Sequence, residues 1–229
     1  MKVLLTHSEG RLEGLAAALE ARGFCVTHHP LVRTEFLPKT DIRGLADLFR
    51  TDWLLFTSRT AVRAWSALGL PLGSTPKLGV VGAATALEVG RAGGTVALHA
   101  EPANAQGLLT TFRAHVSPPA RVGFLCGEQA LPTLATGLTR AGFIVAKVCL
   151  YRTVTQPLPN VEATFIVLAS PSAVSALPKG LGERTHLIAL GSSTRQAAEK
   201  RGWHATQART PDVSGVVGAM HAAPLLKET

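Results

Sequence analysis

The chain contains an internal duplication, and this feature constrains its fold more than any other. The segment LFTSRTAV at 55–62 matches VLASPSAV at 167–174. Gly82 and Gly191 lie in a second pair of matching segments and are 109 residues apart, and the start of the chain matches a segment 119 residues later. A duplicated unit predicts two similar lobes, with a cleft between them as the expected binding site.

Composition favours a globular protein that binds a small anion. Hydrophobic residues make up 46% of the 229 residues, enough for extensive cores, and the formal net charge is +8. Lysines and arginines are spread along the chain, and the aromatic residues, only 5%, are scattered. Nucleic-acid surfaces usually cluster both kinds of residue. We therefore expect a small polyanion as the ligand and no nucleic-acid partner.

Other classes of protein are disfavoured by what the sequence lacks. The three cysteines form no CxxC pair, and the first residues contain no apolar region of a signal peptide. No apolar run approaches the roughly 20 residues of a membrane span. The eight histidines show neither HxH nor HExxH spacing. We expect a cytoplasmic protein with reduced thiols, no membrane segment and no metal site.

Short apolar runs alternate with polar turns and amphipathic segments, as in α/β proteins with parallel sheets. Near the start, Ser8 is predicted to cap a helix that ends at Gly23 and has on one face Leu12, Leu15, Ala16 and Leu19. Ten strands are predicted, at residues 3–5, 25–28, 53–56, 78–81, 96–98, 122–125, 144–148, 165–168, 187–190 and 204–206.

Two stretches rich in proline, threonine and arginine, 30–38 and 150–159, are candidates for connections between the lobes. If both stretches run from one lobe to the other, lobe one is 1–30 plus 160–229 and lobe two is the insert 35–149. The linkers are then about 31–34 and 150–159. Each lobe would then hold a complete five-stranded parallel sheet of the flavodoxin-like kind. Two sequential lobes divided near Pro118-Pro119 are the alternative.

Four polar turns recur where predicted strands end and helices begin: Thr57-Ser58, Gly82–Thr85, Ser170–Ser172 and Gly191–Thr194. In open α/β sheets, ligands bind beyond the carboxyl ends of the strands. The free backbone N–H groups and the positive dipole end of a helix N-terminus attract carboxylates and phosphates. The turns are therefore candidates for an anion site, although the same serines and threonines also suit plain helix caps.

One residue is a candidate acid. The sequence contains no nucleophile-elbow, P-loop or dinucleotide-binding motif and no obvious pair of acidic residues. Tyr151, the only tyrosine, comes at the end of a predicted strand in a segment between the lobes. A phenol at this place can supply a proton, or it can be an amphipathic residue at a domain boundary.

At these turns the chain resembles the uroporphyrinogen-III synthase family, over nearly its whole length and in family order. Each motif is short and weak by itself, but the whole set in this order is specific to the family. The matching segments are VLLTH (3–7), DWLLFTSRTAV (52–62), VVGAATA (80–86), EPANAQGLL (101–109), LYRT (150–153), VLASPSAV (167–174), IALGSSTRQAAEKRG (188–202) and TPDVSGVV (210–217).

The resemblance implies two flavodoxin-like lobes, the first discontinuous, joined by a two-stranded linker. It also implies an enzyme of haem biosynthesis that acts on hydroxymethylbilane, an open tetrapyrrole with eight carboxylates. Such enzymes remove water, close the ring and invert the last pyrrole through a spiro intermediate, giving uroporphyrinogen III without a metal or organic cofactor. We expect a monomer that contacts transiently the enzyme making hydroxymethylbilane.

The resemblance also implies roles for single residues. Tyr151 matches the family tyrosine that is expected to protonate the departing hydroxyl, and Thr85 and Thr194 match threonines expected to donate to the substrate. The predicted substrate-binding set is completed by residues of the polar turns and of the first strand: Thr6, Thr57, Ser58, Gly82, Ser170, Ser172 and Gly191.

Three positions depart from the family pattern. Thr6-His7-Ser8 stands where Thr-Arg-Pro is common, Thr60 where asparagine is common, and Ala130 where an arginine is frequent. Two arginines that would bind carboxylates are therefore missing. The candidates to replace them are Arg11, Arg59, Arg152 and Arg195.

Two other functions remain open on the residues alone. A non-catalytic two-lobe protein that binds a small anion would use the same turns without needing Tyr151. A glycosyltransferase that uses a nucleotide sugar would need a carboxylate near a strand end for ribose or metal, and the sequence offers no convincing one.

Overall fold

The computed structural model describes residues 1–8, 12–73, 75–158 and 160–223. The chain divides into two compact units, which we call unit 1 (Met1–Arg33 with Val154–Thr229) and unit 2 (Thr34–Thr153). Both units combine parallel strands with helices. Within the described residues, no helix is long and apolar enough to cross a membrane.

Strands and helices alternate along most of the chain, with two 3₁₀ segments at Lys39–Asp41 and Leu45–Arg50. In chain order the elements are β1 (Lys2–Leu5), α1 (Leu15–Glu20), β2 (Cys25–His28), β3 (Val32–Phe36), β4 (Trp53–Phe56), α2 (Arg59–Ala67), β5 (Lys77–Val80), α3 (Ala83–Arg91), β6 (Val96–His99), α4 (Ala105–His115), β7 (Arg121–Gly127), α5 (Thr133–Arg140), β8 (Ile144–Thr155), β9 (Phe165–Leu168), α6 (Pro171–Ala176), α7 (Lys179–Glu183), β10 (His186–Ala189), α8 (Ser192–Glu199), β11 (Ala205–Gln207) and α9 (Val213–Ala222).

Unit 1 is built on a parallel sheet with the strand order β11-β10-β9-β1-β2. Val3 and Leu5 of β1 belong to one core, together with Leu15 of α1. Leu4 belongs to a second core, together with Val174 of α6. Successive side chains of a strand point to opposite faces, so both faces of the sheet are covered.

The sheet of unit 2 contains five parallel strands in the order β8-β7-β4-β5-β6, and β3 lies beside β8 as a sixth strand. The prediction of five strands is therefore wrong for this sheet. The extra strand lies in residues 30–38, a candidate connection between the lobes, where the resemblance implies one strand of a two-stranded linker. It runs antiparallel to β8, because Leu37 N–H donates to Leu150 O and Gln156 N–H donates to Leu31 O.

The order of the strands follows the internal duplication. The sequence repeat matches β1, β2, β9, β10 and β11 with β7, β8, β4, β5 and β6, respectively. The matched strands have the same spatial order in the two sheets. Their order along the chain differs, because unit 1 starts with β1 whereas the matched strands of unit 2 start with β4, the copy of β9. Matched strands therefore end in matched turns, so each turn can be compared with its copy.

The first helix differs from its prediction at one end. It begins at Leu15 and not directly after Ser8. Leu12 has φ 56° and Gly14 has φ 81°, and a right-handed helix excludes these left-handed values. Leu15 and Leu19 are buried and Ala16 packs against the same core, so the predicted apolar face is confirmed for these three residues, whereas Leu12 lies before the helix. Residues 9–11 lie outside the described part of the chain.

Candidate active site

Tyr151 lies on β8, with its ring partly buried against a core of unit 2. It pairs with Gly127 at the end of β7, where the register between the two strands shifts. A Cβ atom at position 127 would lie 2.6 Å from Cε2 and 2.7 Å from Cζ of the Tyr151 ring. The ring therefore occupies space that only a glycine leaves open.

The hydroxyl of Tyr151 is held at the start of α2. Its oxygen lies 3.1 Å from Ser58 Oγ, and either atom can be the donor. Ser58 is the N-cap of α2, and its Oγ accepts a hydrogen bond of 3.2 Å from Ala61 N–H. The phenol, the serine and the helix N-terminus are therefore connected by consecutive hydrogen bonds, which fix the position of the phenol.

A cavity of about 300 Å³ in unit 2 has Tyr151 in its wall. The other lining residues come from the end of β4, the loop after β7 and β8: Thr57, Gly127, Glu128, Gln129, Ala130 and Thr153. A larger cavity of about 550 Å³, beside β11 and α9 in unit 1, contains none of the predicted site residues. The smaller cavity combines a phenol, hydroxyls and a carboxylate, which suits acid–base chemistry on a polar substrate.

Thr85 and Thr194 occupy matching positions in the two units. Each is the third residue of its helix, and its backbone N–H donates at 3.1 Å to the carbonyl of Gly82 or Gly191. Both side chains are buried. Gly82 has φ 75°, a left-handed value that favours glycine, whereas Gly191 has φ −161° and is extended. Backbone geometry therefore favours glycine in only one copy of this turn.

Ser170 has in unit 1 the capping role that Ser58 has in unit 2. It caps α6 and accepts from Ala173 N–H at 3.2 Å. Pro171 is the first helical residue, and Ser172 after it is half-buried. Both serines are thus the helix caps that the sequence left as an alternative, and Ser58 additionally bonds to the phenol.

The turn after β1 has its polar side chains packed inside unit 1. Thr6 is fully buried, and its hydroxyl donates to Val167 O at 2.7 Å, which joins the ends of β1 and β9. His7 is also buried, with its ring centroid 4.4 Å from that of His28. The Thr6 hydroxyl therefore supports this turn from inside, and the place of Thr6 among the substrate ligands stays a prediction.

Two of the four candidate arginines are paired with carboxylates. Arg152 Nε lies 3.0 Å from Glu35 Oε2, and this hydrogen bond raises the pKa of the guanidinium. Arg195 Nε lies 3.6 Å from Glu199 Oε1. Both pairs are exposed to solvent, so exchange for a substrate carboxylate costs little. The other two are Arg59, exposed at the start of α2, and Arg11, outside the described residues.

The sequence-based prediction misses three residues of this site: Gly127, Glu128 and Lys147. Lys147 Nζ donates to the Ala130 carbonyl at 2.9 Å, so a cation lies at the loop where the family often has an arginine. Gly127 and Glu128 come shortly after the predicted apolar strand 122–125, and this position near a strand end is the signal that could have found them. The sequence contains no comparable signal for Lys147.

The cysteines of β7 and β8 are poor nucleophiles. Burial raises the pKa of Cys126 to about 11, and burial also raises the pKa of Cys149. Both thiols are protonated at neutral pH, whereas the thiolate is the reactive form. Nor does the described part of the chain bring together three histidine, cysteine, aspartate or glutamate side chains that could hold a metal ion. Tyr151 remains the candidate group for chemistry.

Known proteins share the fold and the sequence pattern. The family model described as "Uroporphyrinogen-III synthase HemD" matches residues 13–218, whereas no curated protein sequence matches the chain. A mutant uroporphyrinogen III synthase from the extreme thermophile Thermus thermophilus is similar in structure over 97% of this chain and 98% of its own, with 22% identity and a TM-score of 0.60. The uroporphyrinogen-III synthetase from Helicobacter pylori 26695 is similar over 96% of this chain and 98% of its own, with 14% identity and a TM-score of 0.65.

The two solved structures show a shared α/β fold with mixed and parallel sheets. The family model extends over most of the chain and includes the turns at Ser58, Gly82, Ser170 and Gly191 as well as Tyr151. Because the match includes both copies of the turns and the one tyrosine, the chain belongs to the uroporphyrinogen-III synthase family.

Proposed function

We propose that this protein is a cyclising hydro-lyase that converts hydroxymethylbilane into uroporphyrinogen III in haem biosynthesis. The observation that carries the proposal is the family match over residues 13–218, a range that includes every residue of the Tyr151 cavity. The reaction removes one molecule of water. A group that protonates the departing hydroxyl is therefore its first requirement.

Tyr151 is the proposed acid. Its phenol donates a proton to the hydroxymethyl oxygen while the C–O bond breaks, which releases water and leaves an azafulvenium cation. Ser58 can donate to the resulting phenolate while it still accepts from Ala61 N–H. The proton that is released when the last pyrrole regains its aromaticity restores the phenol, so the proton balance closes.

Control of substrate shape is the second requirement, because free hydroxymethylbilane closes without inverting its last ring. Eight carboxylates need many donors, and the N–H groups at the starts of α2, α3 and α8 are suitable. The net charge of +8 also favours an anion. We assign substrate binding to these N–H groups and to Thr57, Ser58, Gly82, Thr85, Ser170, Ser172, Gly191 and Thr194, with Thr6 supporting its turn from inside.

The remaining proposals concern organisation and context. Each unit acts as a flavodoxin-like lobe, with lobe one at 1–30 and 160–229, lobe two at 35–149, and linkers between them. The protein works in the cytoplasm as a monomer without a cofactor, and it contacts transiently the enzyme that makes hydroxymethylbilane.

Incubation with enzymatically made hydroxymethylbilane tests the function. We expect mainly the type III isomer, whereas buffer alone gives type I, and chromatography of the oxidised porphyrins separates the two. A non-catalytic anion-binding protein would leave the product as type I. The family match does not favour a glycosyltransferase.

Tyr151→Phe tests the acid. We expect kcat to fall by about 10²–10⁴-fold, the usual contribution of general acid catalysis. The free energy of unfolding should fall by only about 0.5–1.5 kcal/mol, the net value of the lost hydrogen bond to Ser58. An unchanged kcat in a folded variant would remove Tyr151 as the acid and would leave the family function intact.

A further inference from the structure

The Tyr151 cavity contains a charge that carboxylate binding does not explain. Among its described lining residues, Glu128 is the one with a formal charge, and that charge is negative. The chain as a whole has a net charge of +8. Since a carboxylate beside the phenol repels a substrate with eight carboxylates, its presence requires another reason.

The position of Glu128 is fixed relative to the proposed acid. Its backbone N–H donates to the Tyr151 carbonyl at 3.0 Å, and Ala130 N–H closes a turn on the Gly127 carbonyl at 3.0 Å. Lys147 Nζ donates to the Ala130 carbonyl at 2.9 Å and connects this turn to β8. Two of these hydrogen bonds therefore hold the loop of residues 127–130 against the strand that carries the phenol, and the third closes the loop on itself.

The side chain of Glu128 is available to a ligand. It is exposed, and none of the salt bridges found among the described residues includes it. The two nearby cations have other partners, since Arg152 pairs with Glu35 and Lys147 bonds to a carbonyl. Its carboxylate therefore forms no ion pair with the described residues, and Arg152 acts on it only as a nearby positive charge.

We propose that Glu128 is a catalytic residue that stabilises the azafulvenium cation and accepts hydrogen bonds from pyrrole N–H groups; this inference rests on the proposed function. The substrate pyrrole is neutral before the hydroxyl leaves and positively charged afterwards. A carboxylate that lines the same cavity as Tyr151 therefore interacts more strongly with the transition state than with the bound substrate, and this difference accelerates the step. Glu128 neither gains nor loses a proton.

Glu128→Gln removes the charge and keeps the size of the side chain. We expect kcat to fall at least about tenfold, whereas KM stays the same or falls because repulsion of the carboxylates is removed. Glu128→Asp keeps the charge and should recover most of kcat. Glu20→Gln, at an exposed position of α1 that does not line the cavity, makes the same change in net charge and should have the wild-type kcat.

The outcomes separate the two proposals. An unchanged or higher kcat in Glu128→Gln would mean that Glu128 only repels the substrate, and it would overturn the inference. An equal loss of kcat in Glu128→Asp would do the same, because charge would not be the cause. Thermal melting checks folding, and Glu128→Ala replaces Glu128→Gln in the comparison if the latter does not fold. If the wild-type protein gave the type I isomer alone, the proposed function itself would be refuted.

Discussion

Replacement of Gly127 by alanine tests whether the position of the Tyr151 ring sets the rate. The added Cβ would lie 2.6 Å from Cε2 and 2.7 Å from Cζ of the ring. Carbon atoms in contact are about 3.5–4.0 Å apart, so the ring must move by about 1 Å. A shift of this size lengthens the 3.1 Å contact between the phenol and Ser58 Oγ beyond hydrogen-bonding range.

We expect the kcat of Gly127→Ala to fall about 100-fold, because a misplacement of about 1 Å costs roughly this factor. The free energy of unfolding should fall by about 1–3 kcal/mol, the usual cost of overpacking a filled site. Gly127 is not among the glycines with positive φ, so the alanine adds no backbone strain. Initial rates measure kcat, urea unfolding measures the free energy of unfolding, and the isomer ratio is recorded alongside.

Gly123→Ala is a matched control on the same strand. Its Cβ would lie 2.6 Å from Leu48 Cδ2 and 2.7 Å from Leu54 Cδ2, an overlap of the same size with apolar side chains. We expect a similar loss of stability with little change in kcat. In a Tyr151→Phe background, Gly127→Ala should lower kcat little further, because the displaced hydroxyl is already absent. Wild-type kcat and isomer ratio in folded Gly127→Ala would refute this reasoning.

Two further predictions concern the matched turns and helix starts. Thr85→Ala and Thr194→Ala should each lower kcat/KM modestly, by up to about tenfold, because many donors share the substrate; loss of all activity in either variant would contradict shared binding. Hydrogen bonds from Gly215 N–H and neighbouring hydroxyls lower the pKa of Asp212 from its ordinary value of 3.8. The Asp212 cap therefore stabilises the start of α9 fully above pH 3.8, and this stabilisation is lost as the pH falls through the lowered pKa. Asp212→Asn should keep a cap that does not depend on pH. Amide exchange at Gly215 measures this loss, and Gly107, which has an asparagine cap, is the internal control.

The strands could largely be predicted because buried strands of parallel sheets are short apolar runs between polar turns. The predicted bounds 25–28, 53–56 and 165–168 coincide with β2, β4 and β9. The caps at Ser58 and Ser170 were also readable, since each serine directly precedes an amphipathic segment. These features depend on residues that are close in sequence.

The features that could not be predicted depend on residues that are distant in sequence. β3 exists because residues 32–36 lie beside the second half of β8, more than a hundred residues later; the residues themselves predict only a connection, and the resemblance alone implies strands there. The partner of Tyr151 is of the same kind, since Ser58 is 93 residues away along the chain. The strand end at Gly127 and Glu128 was readable from the sequence, but their proximity to Tyr151 depends on the pairing of β7 with β8.

The duplication accounts for why the site has many similar turns but one tyrosine. Ser58 and Ser170 cap matched helices, and Thr85 and Thr194 are the third residues of another matched pair. The acid has no copy, because the 119-residue spacing aligns Tyr151 with Val32, which cannot donate a proton from its side chain. Carboxylates are numerous on hydroxymethylbilane, whereas only one hydroxyl leaves. The duplicated helix starts therefore suit the many carboxylates of the substrate. Tyr151, which only one of the two copies contains, suits the single C–O bond that breaks.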